Sequence, residues 1–301
     1  MFRWGLGLAF LGLIAACGES TSADSCVGME TITCSPPEGA LPTGTSVVVG
    51  AEWLLERIDD AELQLVDARG AAFSRSRIPG AISITPSDVA GTIDGVPGQL
   101  IPAEEAEPIL GALGLLNGAT VVVYGDSPEY DPARIVWALR HYGQGDVRYL
   151  DGGFDAWVAA GGSVDEEPPA IEPSGYVVGE VRESLRVTGD FVLEQIGDEP
   201  YDMPAIQLVD ARSVGEYDGG HIPTARSVNW TRNLDDGFLL ATDELDALYE
   251  SMDPAAPAVT YCASGQRGSF AWLTLVALGF DDVALYDGSW NEWSRLPYPV
   301  E

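Results

Sequence analysis

The chain has no lysine, two histidines and four cysteines among its 301 residues. Every basic side chain is therefore an arginine, and the 15 of them stand against 47 Asp and Glu, for a formal net charge of −32. A surface of that sign repels nucleic acid and anionic membrane surfaces, so neither is expected as a partner, although a local positive pocket for a small anion remains compatible with it. The acidity itself reads as a solvated surface suited to salt. Long apolar runs are also missing near the start, where residues 4–16 give 13 apolar positions in a row. That is short of the ~20 a membrane span needs.

What is present at the start is an export signal. Arg3 precedes the apolar run, small residues follow it, and the ending "IAAC" at Cys17 resembles the lipobox of bacterial lipoproteins, in which the cysteine is lipidated and becomes the new N-terminus. The expectation is a signal over 1–17, a lipid on Cys17 as the only membrane attachment, and an extracytoplasmic location at a bacterial membrane, most consistent with the outer one. Export permits disulfides, and Cys26 and Cys34, eight residues apart, are expected to pair. Cys262 is then the one thiol left over. Residues 18–45 are rich in Ser, Thr, Gly and Pro with no hydrophobic period, as suits a tether.

With 46% hydrophobic residues, the remainder is long enough for two globular domains. It repeats itself. The segment 51–70, containing "LQLVDARG", is echoed at 189–213 by one containing "IQLVDARS"; "RIPGAISI" by "HIPTARSV"; "VVVYGD" by "AVTYCA"; and "VRYLDGGFDAW" by "VALYDGSWNEW". The near-constant spacing marks one duplicated domain rather than a solenoid. The expected layout is a first copy over 46–165, a Pro- and Glu-rich linker over 166–180 and a second copy over 181–301. Short apolar runs rich in β-formers alternate with helical stretches closed by Gly, which calls for a parallel sheet covered by helices on both faces in each copy. Ligands bind at loops following the carboxyl ends of such strands.

One such loop is "CASGQR", 262–267, which leads from an apolar strand into a helix expected to begin near Gly268. A glycine-containing turn entering a helix points several backbone N–H groups at one centre and stabilises an anion there. Here that anion is the thiolate of Cys262, with Arg267 as a fixed cation able to hold an oxyanion in two-point fashion. A free cysteine is commonly just a buried small hydrophobe, but the polar residues that follow Cys262 favour a nucleophile. The first copy has Gly125 at the matching position and no cysteine anywhere in 46–165. That copy lacks the nucleophile.

From about residue 45 onward the chain resembles a tandem rhodanese of the thiosulfate and 3-mercaptopyruvate sulfurtransferase type, through "DARSVGEYDGGHIPTA" (210–225), "CASGQR" and "VALYDGSWNEW" (283–293). The resemblance implies two rhodanese-like α/β domains, each a doubly wound parallel sheet, of which the first is inactive and walls the cleft. It implies a thiosulfate sulfurtransferase-type enzyme in which Cys262 takes a sulfane sulfur from a small anionic donor and passes it to cyanide or a thiol. Ala263, Ser264, Gly265, Gln266 and Arg267 form the binding shell, and no metal or organic cofactor is needed. A monomer is expected. The four residues between Cys262 and Arg267 are one fewer than in related phosphatases and arsenate reductases, which disfavours that chemistry. The competing class is a non-catalytic module that binds a partner or senses sulfane sulfur through Cys262.

Other residues take lesser roles. Asp210 and Arg212 recur as Asp67 and Arg69 beside Gly125, so they read as a structural ion pair. His221 is expected to fix a loop by hydrogen bonding, His141 to lie on the surface, and Trp157 and Trp293, which also recur, to be core. Trp290 is a candidate for the cleft wall. Glu216 stands where the mercaptopyruvate and tandem thiosulfate enzymes commonly carry an Arg, which disfavours mercaptopyruvate and leaves Arg267, with Arg232, as the anion holders. Thr224 replaces the usual Gly after "HIP", leaving the local turn open.

Overall fold

The computed structural model describes residues 46–167, 170–197 and 204–301. Cys17, Cys26, Cys34, the signal and the tether therefore lie outside the described residues.

The strands of the first copy are β1 (Val48–Val49), β2 (Leu63–Asp67), β3 (Ile82–Ser83), β4 (Ala90–Ile93), β5 (Val96–Leu100), β6 (Thr120–Tyr124) and β7 (Asp146–Leu150). Its helices are α1 (Ala51–Leu55), α2 (Pro86–Val89), α3 (Ala103–Ala112), α4 (Asp131–His141) and α5 (Gly153–Ala159). The second copy repeats them as β8 (Arg186–Val187), β9 (Gln207–Asp210), β10 (Arg226–Ser227), β11 (Leu234–Asp235), β12 (Phe238–Leu239), β13 (Ala258–Tyr261) and β14 (Val283–Tyr286). With these come α6 (Gly189–Ile196), α7 (Val214–Asp218), α8 (Thr242–Leu248), α9 (Gln266–Ala277) and α10 (Ser289–Trp293). Two five-stranded sheets result, ordered β1-β7-β6-β2-β3 and β8-β14-β13-β9-β10, with every neighbour parallel. The two orders are the same order. The central strands β6 and β13 are buried on both faces, which is why they read as unbroken apolar runs rather than alternating ones.

Each sheet has an outer and an inner core. Leu54, Val122 and Trp157 fill the outer face of the first, and Val192, Val259 and Trp293 that of the second. The inner faces share one core that runs through both copies, from Val66 and Trp137 to Val209, Phe270 and Trp272. Helices α4 and α9 lie in this shared layer, and that position explains one departure from expectation: His141, at the polar end of α4, is buried rather than on the surface. Its Nδ1 lies 3.0 Å from the Arg182 carbonyl, its ring stacks on Trp137, and burial lowers its pKa. A continuous apolar interface of this kind makes the two copies one mechanical body.

Each copy also reaches across to the other with a hairpin. In the first, β4–β5 brings the Leu100 N–H to Asp287 Oδ2 (2.8 Å). In the second, β11–β12 brings the Leu239 N–H to Asp151 Oδ1 (2.9 Å). Asp151 and Asp287 are the matching aspartates of "YLDGG" and "LYDGS", so the duplication built a reciprocal pair of straps.

Candidate active site

The sulfur-bearing loop is held from behind by α10. The Cys262 N–H donates to Ser289 Oγ (3.2 Å), the Cys262 carbonyl accepts from Trp290 N (3.0 Å), and the Ala263 carbonyl accepts from Asn291 N (2.9 Å). Gly265 takes φ +82°, a left-handed conformation natural to glycine, and caps α9, which therefore starts at Gln266 and not near Gly268. Gln266 and Arg267 thus belong to the first turn of a 12-residue helix. Among the described residues, the backbone N–H groups of Ala263, Ser264, Gly265, Gln266 and Arg267 have no hydrogen-bond acceptor in the protein. Unsatisfied N–H groups at a helix N-terminus are an anion site. Cys262 itself is a free thiol, 1% exposed, at the edge of the shared core.

Arg267, expected as the main anion holder, does not stand free. Its Nη1 and Nη2 donate to the two oxygens of Glu216, both at 2.8 Å. Glu216 is pinned a second time as the third helical residue of α7, where it accepts from the N–H (3.0 Å) and hydroxyl (2.6 Å) of the capping Ser213. Arg267 first, and Ser213 with it, hold the Glu216 carboxyl well below the usual range, at about 2, against the opposing effect of burial. The same pairing raises the Arg267 pKa. The rim of the site is therefore a neutral ion pair across the acid range down to that value. Arg232, the second expected anion holder, is exposed on the single 3-10 turn Trp230–Asn233 and has no hydrogen bond or ion pair to the Cys262 loop among the described residues.

The supporting residues sit behind the loop. Asp210 and Arg212 form a buried pair: Arg212 Nε and Nη2 donate to the carboxylate at 2.6–3.0 Å, and Nη2 also donates to the Gly220 carbonyl (2.8 Å). The guanidinium lies 4.4 Å from the centre of the Trp290 ring, which also lies against Gly220 and the outer core of the second copy. The Trp290 ring thus packs on the support, and its backbone secures the cysteine. Asp67 and Arg69 repeat the arrangement under Phe154 in the first copy. His221 stacks on Tyr217, its Nδ1 lies 3.1 Å from the Tyr217 carbonyl, and its backbone exchanges hydrogen bonds with Glu301. Arg77 does the same with Asp165 in the first copy, so both residues fasten a domain's end. Thr224 adopts φ +70° where Gly80 in the first copy has +77°. The left-handed turn is kept, at a cost of about 1 kcal/mol for a side chain there.

The matching loop of the first copy has the opposite character. Asp126, Glu129 and Asp131 surround the end of β6, Asp126 pairs with Arg69 (3.4 Å), and burial raises the Glu129 carboxyl. A groove of about 630 Å³ lies alongside, lined by Ser127, Pro128, Asp155, Asp236 and Phe238. It holds carboxylates and no thiol.

Sequence reading missed three charged residues that meet beneath the Cys262 loop. Asp287 pairs with Arg134 (2.7 Å) from α4 of the first copy and with Arg186 (3.0 Å) from β8. The recurrence of Asp151 and Asp287 in the repeats was the available signal for Asp287; Arg134 has no counterpart and left none.

Comparison with known proteins bears on the fold and the family. The model of the rhodanese-like domain matches twice, over residues 50–160 and 191–296. A sulfur carrier protein of Thermus thermophilus is 34% identical over 272 residues, covering 83% of this chain and 94% of its own. A thiosulfate sulfurtransferase of Corynebacterium glutamicum is 32% identical over 277 residues, covering 84% and 90%. The crystal structure of a 3-mercaptopyruvate sulfotransferase, SseA from Escherichia coli, superposes with a TM-score of 0.72 at 28% identity, covering 82% of this chain and 100% of that one.

Proposed function

The chain belongs to the rhodanese family, and from that premise we propose that it is a sulfurtransferase with one active thiol, Cys262, working by covalent sulfur transfer. The observation that carries this reading is the set of unpaired loop N–H groups, 263–267, around the single free cysteine of the described residues. The thiolate attacks the outer sulfur of thiosulfate or a related sulfane donor. The S–S bond of the donor breaks, sulfite leaves with the electron pair, and Cys262 holds a persulfide whose charge the N–H groups stabilise. Cyanide or a thiolate then attacks the outer sulfur and returns the cysteine thiolate. No net oxidation occurs.

The first copy serves as the inactive wall of the site. The test is formation of thiocyanate from thiosulfate and cyanide by the soluble 18–301 chain, with a gain of one sulfur atom on Cys262 when the acceptor is omitted. Absence of both would sink the proposal. The sulfur-carrier relative and the 1% exposure of Cys262 support a second reading, in which the persulfide is carried to a partner and not turned over quickly. A stable persulfide without thiocyanate is its signature.

Glu216 bears on the donor. Because it neutralises Arg267, a dianion such as thiosulfate has to compete with it. Glu216→Gln should lower the KM for thiosulfate by about two- to fivefold, the worth of a partly exposed ion pair. An unchanged or higher KM would show that Glu216 does not oppose the donor. For the start of the chain, the lipobox supports anchoring through Cys17: fatty-acid labelling in a bacterial host should mark the wild type and be lost in Cys17→Ala, while labelling that persists would rule out this anchor.

A further inference from the structure

The charges around the Cys262 loop do not balance in the way the sequence suggests. Arg267 is spent on Glu216, and Arg212 on Asp210. Beneath the loop, however, two guanidiniums, Arg134 and Arg186, share the single carboxylate of Asp287. One positive charge is left over there. The other titratable groups near this cluster are His141, whose pKa burial lowers, Tyr142, whose pKa burial raises, and the exposed Glu183.

Arg134 is the unusual member. It rises from the first turn of α4 in the Cys-less copy, its side chain is fully buried, and its Nη2 forms an ion pair with Asp287 Oδ1 (2.7 Å) and donates to the Gly98 carbonyl (3.0 Å) at the hairpin β4–β5. Its Nη1 and Nε have no hydrogen-bond partner among the described residues, while the guanidinium lies 4.6 Å from the centre of the Trp137 ring. Nη1 points at the loop: a Cβ built on Gly265 would lie 2.9 Å from Arg134 Nη1 and 2.9 Å from Asp287 Oδ1. The same hairpin closely approaches the preceding loop residue, since a Cβ on Gly98 would lie 3.0 Å from Ser264 Cβ. A buried guanidinium with unused donors is costly unless the position requires it.

We propose that Arg134 is a positioning residue for sulfur transfer at Cys262, supplied by the copy that lacks the thiol. Through Asp287 it fixes the Gly265 corner of the loop, so that the N–H groups converge, and it leaves positive charge behind the reacting sulfur. The inference rests on the sulfurtransferase reading above. It makes the first copy part of the machinery as well as a wall.

The test uses the full soluble chain with thiosulfate and cyanide. Arg134→Met should lower kcat by about tenfold to a hundredfold, the usual loss for an outer partner of a catalytic group, with KM changed less than about threefold. Arg134→Lys should recover several-fold of that loss. Removing one partner of a buried pair can also unfold the protein, so the decisive variant is Arg134→Met with Asp287→Asn, which removes the fully buried pair whole and leaves only the part-exposed Arg186 without its carboxylate. It should fold and remain slow. A folded double variant with wild-type kcat, or a Met variant whose loss lies wholly in KM, overturns the proposal. If the wild type makes no thiocyanate, the function reading has failed instead. Arg134 is then judged by the rate at which iodoacetamide alkylates Cys262: a drop of about tenfold in the Met variant supports it, and an unchanged rate overturns it.

Discussion

Cys262→Ser should bring thiocyanate formation down to the uncatalysed background, a loss of roughly a thousandfold or more, while the protein stays folded. Serine keeps the size of the side chain, and the loop it sits in is held by backbone contacts that the change does not touch: Ser289 Oγ, Trp290 N and Asn291 N. What disappears is the nucleophile, because an alkoxide is not available near neutral pH and sulfur-to-sulfur attack needs a soft thiolate. Moving the cysteine to the first copy should not restore activity. A Cβ on Gly125 would come 2.5 Å from Pro132 Cγ and 3.3 Å from Glu129 Oε2, and the loop there carries the carboxylates of Asp126, Glu129 and Asp131. Thiocyanate formation by Cys262→Ser with Gly125→Cys, at even a tenth of the wild-type rate, would show that the first site is still competent. Near-normal activity in Cys262→Ser alone would remove Cys262 from the mechanism.

Arg212→Met should be the most destabilising of the single changes considered, at about 3–5 kcal/mol, because it leaves the Asp210 carboxylate buried without its cation. Both side chains are almost fully buried, 3% and 0% exposed. The guanidinium also ties down the Gly220 carbonyl and carries the Trp290 ring. The denaturation midpoint is the readout. Arg69→Met in the first copy should cost a similar amount, since Arg69 holds Asp67 in the same way and supports Phe154. Equal losses mark the pair as structural in both copies. A loss below about 1 kcal/mol for Arg212→Met, with activity gone, would instead make Arg212 part of the chemistry.

The parts of this protein that could be read from the sequence are those fixed by neighbouring residues. β6 and β13 were visible as apolar runs between turns, and Trp157 and Trp293 were visible as core because they recur and are buried, at 1% and 0% exposure. The loop 262–267 was visible because cysteine, glycine and helix start follow one another directly. Its helix begins two residues earlier than read, since Gly265 in a left-handed conformation can cap where a Cβ would not fit. His141 was misread because the polar end of an amphipathic helix is normally outside, and α4 is enclosed by a second copy of the fold.

The sequence alone determined that the domain is duplicated, that each copy is a parallel α/β sheet, and that a single thiol stands at the head of a strand-to-helix loop. These follow from periodicity and from local backbone chemistry, which act over a few residues. The tertiary structure decided where the charges go. It paired Arg267 with Glu216, 51 residues away, and set Arg134 of one copy against Asp287 of the other beneath Gly265. A charge finds its partner by distance in space, and in a chain with 15 arginines and 47 acidic residues the sequence offers many candidates for each. Only tertiary packing selects among them.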